Sequence, residues 1–144
     1  MSRVVDCLVY DHDWRLVLLA GAVCFVASFA AVGLLLRAAH RQGPGRIGWL
    51  FMAGTATGLG IWATHFIAML AYNPGLAVGY ALLPALLSLL VAIALATLGV
   101  AIAVAARMRR AAPAGGAIVG LGMAGMHFLG MEAMQISAEI VWRI

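Results

Sequence analysis

The stretch Gly58-Leu59-Gly60-Ile61-Trp62-Ala63-Thr64-His65-Phe66-Ile67-Ala68-Met69-Leu70-Ala71 decides how this chain is read. It sets His65 into an apolar run with no charged residue nearby, and Met69 follows four residues later. Positions i and i+4 share a helix face, so imidazole and thioether point the same way. The stretch recurs 62 residues on. Across 54–71 and 116–133, eight of 18 positions are identical: the glycines at 54/116, 58/120 and 60/122, Leu59/Leu121, His65/His127, Phe66/Phe128, Met69/Met131 and Ala71/Ala133. Two His–Met pairs in register point to a duplicated unit rather than to coincidence.

Composition says where such a unit belongs. The 144 residues are 65% hydrophobic and 10% charged, with mean hydropathy +1.06, which describes a membrane protein. Residues 16–36 carry no charge over a length that spans a bilayer, with Trp14 and Arg15 as anchors at the start. Residues 47–106 hold no Arg, Lys, Asp or Glu, and Asn73-Pro74-Gly75 divides them. Spans are therefore expected at 16–36, 47–72, 80–106 and 117–136. The fold class is an all-α membrane protein, a four-helix transmembrane bundle of two repeated hairpins. It forms a single domain over 1–144, with unit one at 10–72 and unit two at 80–136.

The net charge of +4 does not indicate nucleic acid, because the arginines lie between the apolar runs. Segments 37–46 and 107–110 hold six of the nine, and the carboxylates gather toward the other face. The positive-inside rule then puts both Arg-bearing turns in the cytoplasm and both termini outside. The arginines also suit phosphate headgroups of the lipid bilayer. His65 lies seven residues before Tyr72, about 10 Å below the outer boundary.

On a 3.6-residue period Gly54, Gly58, Ile61, His65, Met69 and Tyr72 share a face, as do Gly116, Gly120, Met123, His127, Met131 and Met134. Glycines four apart let backbones approach in lipid, where no hydrophobic drive assembles helices. The expectation is that spans two and four pack through Gly54, Gly58, Gly116 and Gly120 in the cytoplasmic half. They then diverge toward a His–Met pocket near the outer face.

Imidazole with thioether is a soft, neutral ligand set that suits Cu(I) better than Zn(II) or Mg(II). His65 and His127 could instead hold haem b between facing helices, in an electron-transfer subunit. The plain structural reading is that each His hydrogen-bonds a neighbouring helix and each Met fills space. A small transporter fits less well, because no charged residue lies deep in the spans. Catalysis is not expected: there is no nucleophile–base set, and Glu132 is the one carboxylate within a span. Glu132 can neutralise a bound cation or reach outward, and its sequence position does not choose between these.

Trp62-x-x-His65-Phe66-Ile67-x-Met69-Leu70-Ala71 and Gly125-Met126-His127-Phe128-Leu129-Gly130-Met131 resemble the MHYT domain, a bacterial integral-membrane sensory domain. The likeness covers nearly the whole chain, including Tyr10-Asp11. It implies copper held by His65, Met69, Met126, His127 and Met131. It also implies sensing of a diatomic gas (oxygen, carbon monoxide or nitric oxide), in a bacterial inner membrane. Output would come from a signalling partner protein or an output domain, commonly one for cyclic-di-GMP turnover. The chain departs from that pattern at Thr64, which replaces the motif methionine, and at Phe66 and Phe128, which replace tyrosine. It also carries two units and four spans where the family usually has three units and about seven.

Overall fold

The structure, a computed structural model, describes residues 13–72, 78–105 and 110–136. The Asn73-Pro74-Gly75 turn, Arg107, Arg109, Tyr10, Asp11 and the tail beyond 136 lie outside them.

Among the described residues four helices follow in order: α1 (Trp14–Ala39), α2 (Pro44–Ala71), α3 (Leu82–Ala105) and α4 (Ala111–Glu132). All four are long and apolar enough to cross a bilayer. Local chemistry sets their ends. Asp13 caps α1, its carboxylate accepting from the Arg15 N–H at 2.9 Å. Gly43, at φ 66°, turns the chain into α2, and Pro44 takes the first helical position, where its missing N–H costs nothing. α4 starts six residues earlier than expected. Pro113 falls in its first turn, where amide donors have no intrahelical partner in any case, so it does not break the helix. α4 also ends earlier, at Glu132, because β2 (Met134–Ile136) pairs antiparallel with β1 (Val78–Tyr80). This three-residue ladder was not expected from the sequence.

Each helix packs chiefly on its sequence neighbour, α1 on α2, α2 on α3 and α3 on α4, while α2 and α4 touch little. The buried side chains are mostly alanine, as at Ala38, Ala53, Ala71, Ala92, Ala96 and Ala133. Phe25, Phe29, Leu82, Leu121 and Phe128 are each more than two-thirds exposed. Small residues inside and large apolar ones outside are the arrangement of helices held by close backbone approach in lipid.

The two hairpins repeat in three dimensions. At one end the Asp13 N–H donates to the Ala71 carbonyl, and the Ala81 N–H donates to the Ala133 carbonyl, each at 2.8 Å. In mid-helix Gly60 abuts Ala27, and Gly122 abuts Leu95. In both pairs of contacts the second helix of the hairpin is displaced by 62 residues and the first by 68. The second hairpin is the first rebuilt with six fewer residues between equivalent contact positions on its two helices. At the opposite end, Arg46 at the start of α2 donates from Nη2 to the Val104 carbonyl at 2.6 Å. That satisfies a carbonyl left free at the end of α3 and joins the hairpins there.

The glycine faces pack differently from expectation. Gly54 abuts Thr97, and a Cβ at Gly58 would lie 2.6 Å from Ile93 Cα, so this face closes on α3, not on α4. Gly116 and Gly120 meet nothing within 4 Å of an added Cβ. α4 turns the neighbouring Gly115 to Gly99 and Ala103 instead, and Gly122 to Leu95. The reason is connectivity. α3 is the helix paired with α4 in its hairpin, and it also occupies the glycine face of α2, so no direct α2–α4 seam forms in the half of the bundle away from the histidines. The pair Trp62–Ser88 strengthens the α2–α3 contact: the indole N–H donates to Ser88 Oγ at 3.0 Å and to the Ala85 carbonyl at 3.2 Å. A serine inside an apolar span needs such a partner, which is the signal the sequence offered.

Candidate functional site

α2 and α4 meet at the level of the histidines. The His65 and His127 rings lie edge to face, with centroids 4.9 Å apart and planes at 70°. The repeat brings them together: each lies six residues before the alanine, Ala71 or Ala133, that ties its hairpin at this end. The approach is made possible by Gly130. A Cβ there would stand 2.9 Å from His65 Nε2, inside van der Waals distance. A glycine in a helix interior costs about 1 kcal/mol relative to alanine, and here it makes room for the imidazole.

His65 is half-buried, and its Nε2 is buried without a hydrogen-bond partner. The Oγ1 of the adjacent Thr64 is in the same state. A buried donor or acceptor without a partner is costly and calls for an explanation. The reading in which each histidine hydrogen-bonds a neighbouring helix therefore lacks its bond at His65 Nε2. His127 is exposed on the apolar surface of the bundle.

The methionines divide into two groups. Met126 is 2% exposed and lines a groove together with His65, His127 and Met123. Met69 is half-buried and Met131 is 42% exposed; both stand one turn nearer the β1–β2 end than their histidines, and neither lines the groove. The groove has a volume of about 900 Å3 and runs between α1 and α4 over α2. Ala27, Ala31 and Val32 of α1 form one wall and Gly120 and Ala124 of α4 the other, with the histidines at one end. Nothing in the α1 sequence singled out that wall, because its small residues follow no pattern that matches the repeat.

The equivalent phenylalanines differ. Phe66 leans on Trp62, with centroids 4.6 Å apart, and meets Tyr80 at 5.9 Å. Phe128 is 72% exposed. The His65 side of the pair is thus held by aromatic neighbours, and the His127 side faces outward. Glu132 is exposed at the end of α4.

The donor set suits a soft ion. Among the described residues no group of three or more His, Cys, Asp or Glu side chains converges. What converges is two imidazoles with a buried thioether near them, a set that fits Cu(I). His65 and His127 would hold such an ion, with Met126 buried in the groove wall they share.

The sequence is similar to parts of known proteins. The MHYT family, described as a bacterial signalling protein N-terminal repeat, matches at residues 58–116 and 120–144. An uncharacterized signaling protein of Caulobacter vibrioides is 42% identical over 140 residues, covering 97% of this chain and 17% of that protein. The bifunctional diguanylate cyclase/cyclic di-GMP phosphodiesterase MucR of Pseudomonas aeruginosa is 32% identical over 136 residues, covering 94% of this chain and 20% of MucR. The cyclic di-GMP phosphodiesterase NbdA of the same organism is 36% identical over 121 residues, covering 83% of this chain and 15% of NbdA. The chain thus spans a fifth or less of the length of these curated relatives. No solved structure matches. With the family's repeat matched over both histidine stretches, on four helices of membrane-spanning length, the chain belongs to the MHYT family of bacterial signalling proteins.

Proposed function

We propose that this chain is a membrane sensor module that holds Cu(I) between His65 and His127 and answers to a diatomic gas or to redox state. The observation that carries this reading is the convergence of the two imidazoles at 4.9 Å with His65 Nε2 buried and unpartnered. Bound there, Cu(I) supplies a soft centre for a small neutral ligand such as oxygen, carbon monoxide or nitric oxide. The chain supplies the rest. Trp62 and Phe66 hold the His65 side, Gly130 admits the ring, and the groove offers an apolar approach from the bilayer. Haem b fits less well, because edge-to-face contact leaves no slot between the rings for a macrocycle. By likeness to MucR and NbdA, the output is cyclic-di-GMP turnover, in a fused domain or a partner protein.

Protein purified in detergent and loaded under reducing conditions should retain about one copper per chain by elemental analysis, because the two imidazoles adjoin and make one site. It should show no Soret band. A Soret band, or copper no higher than in a buffer blank, would overturn this reading.

The orientation we propose is both termini outside, in a bacterial inner membrane. The end of α1, the start of α2 and the end of α3 lie at one end of the bundle, where Arg46 bonds Val104, and segments 37–46 and 107–110 hold six of the nine arginines of the sequence. An export-dependent reporter fused after Ile144 should be active. Activity from a cytoplasm-dependent reporter at the same position would reverse the orientation.

A further inference from the structure

The end of the bundle opposite the histidines carries a second, differently charged cavity. Leu36, Arg37, His40 and Arg41 of α1 and the turn after it, with Trp49 of α2, line a cleft of about 330 Å3. The Arg37 guanidinium lies 5.4 Å from the centre of the Trp49 ring, a stacking distance that orients its donor fork. Arg37, His40 and Arg41 are all exposed. The two carboxylates among the described residues are Asp13 and Glu132, and both stand at the other end of the bundle. Arg46 nearby is already engaged, bonded to the Val104 carbonyl. Arg37 and Arg41 are therefore two exposed cations with no carboxylate near them among the described residues.

We propose that this cleft binds the phosphate of an acidic glycerophospholipid, with phosphatidylglycerol as the simplest case. Two features select a lipid over a free anion. The cleft lies where α1 leaves its apolar run, which is headgroup depth for a helix of this length. Its walls are mixed: two guanidinium groups that match phosphate oxygens, and beside them Leu36, 59% exposed, and the Trp49 indole. Inorganic phosphate would use the arginines and leave that apolar wall in water, whereas a lipid covers it with its glycerol and first methylenes. Basic clefts between membrane helices recognise acidic headgroups by this combination.

The test is native mass spectrometry of the purified chain with equimolar phosphatidylglycerol and phosphatidylcholine. One arginine near an anionic surface is worth about 1 kcal/mol, or about fivefold, so two give the parent a preference of about 25-fold for phosphatidylglycerol. Arg37→Gln with Arg41→Gln should erase that preference with helicity unchanged. Arg110→Gln, an exposed cation at the start of α4, should leave it intact. Excess inorganic phosphate should not displace the lipid. A preference that survives the double substitution, falls equally in Arg110→Gln, or is abolished by inorganic phosphate overturns the proposal. A second readout does not depend on the variants' stability. Phosphatidylglycerol brominated near the headgroup should quench parent tryptophan fluorescence more than brominated phosphatidylcholine does. That excess should vanish in Trp49→Phe; its persistence there would place the lipid elsewhere.

Discussion

Gly58→Leu should cost the bundle about 3 kcal/mol or more, while Gly120→Leu should cost little, although the two glycines align in the repeat. A Cβ at Gly58 would stand 2.6 Å from Ile93 Cα and 2.7 Å from Ile93 N. Those are backbone atoms, which cannot rotate away as the end of a side chain can, so α2 and α3 must separate. The loss reaches beyond the contact itself, because the Trp62–Ser88 bond lies one turn further along the same interface. At Gly120 an added Cβ meets nothing within 4 Å, and a leucine there extends into the groove. Loss of helicity on titration of the detergent-solubilised protein with dodecyl sulfate gives the comparison. Cysteines placed at 54 and 97 should crosslink, and cysteines at 54 and 116 should not. Equal destabilisation by the two leucines would mean that the open face of α4 is not open in the bilayer.

The second large effect is expected at the histidines. If one Cu(I) lies between them, His65→Ala and His127→Ala should each lower its affinity more than about a hundredfold. That exceeds the 10–100-fold loss typical of an outer partner, because a direct ligand is removed. Met126→Leu should cost less, since a thioether is a weak donor. Met69→Leu should cost more than Met131→Leu: Thr64 leaves the first unit no spare methionine, and Met131 is the more exposed of the two. Gly130→Ala tests geometry without removing a donor. Its methyl group would press on His65 Nε2, so affinity should fall although every ligand is present. Lowering the pH should weaken binding throughout, because proton and metal compete for the same ring nitrogen. Competition with a Cu(I) chelator measures all six variants. Parent-like affinity in both histidine variants would leave His65 and His127 as helix–helix contacts.

Much of the molecule was legible before any coordinates. The four spans follow from hydropathy and from the two charged turns, because a helix that satisfies its own backbone in lipid needs only length and apolarity. The repeat was legible too, and with it the common depth of His65 and His127. A 62-residue register fixes position along the helix axis whatever surrounds it.

Which helix each face meets was not legible. Periodicity shows that Gly54 and Gly58 share a face, and that such a face admits a close neighbour; it carries no information on which neighbour arrives. In water, burial would rank the candidates. In lipid every partner is equally apolar, so shape decides, and α3 reached the glycine face of α2. The same limit hid the choice between adjacent glycines at 115 and 116, which differ by about 100° around the helix and hence in which of them meets α3. It hid the pairing of β1 with β2 as well, since segments of three residues have no measurable period. The axial coordinate of each functional residue is written in the local sequence. The azimuth, and so the contact of His65 with His127 across Gly130, exists only once four rods of nearly uniform polarity have been fitted together by the shapes of their smallest side chains.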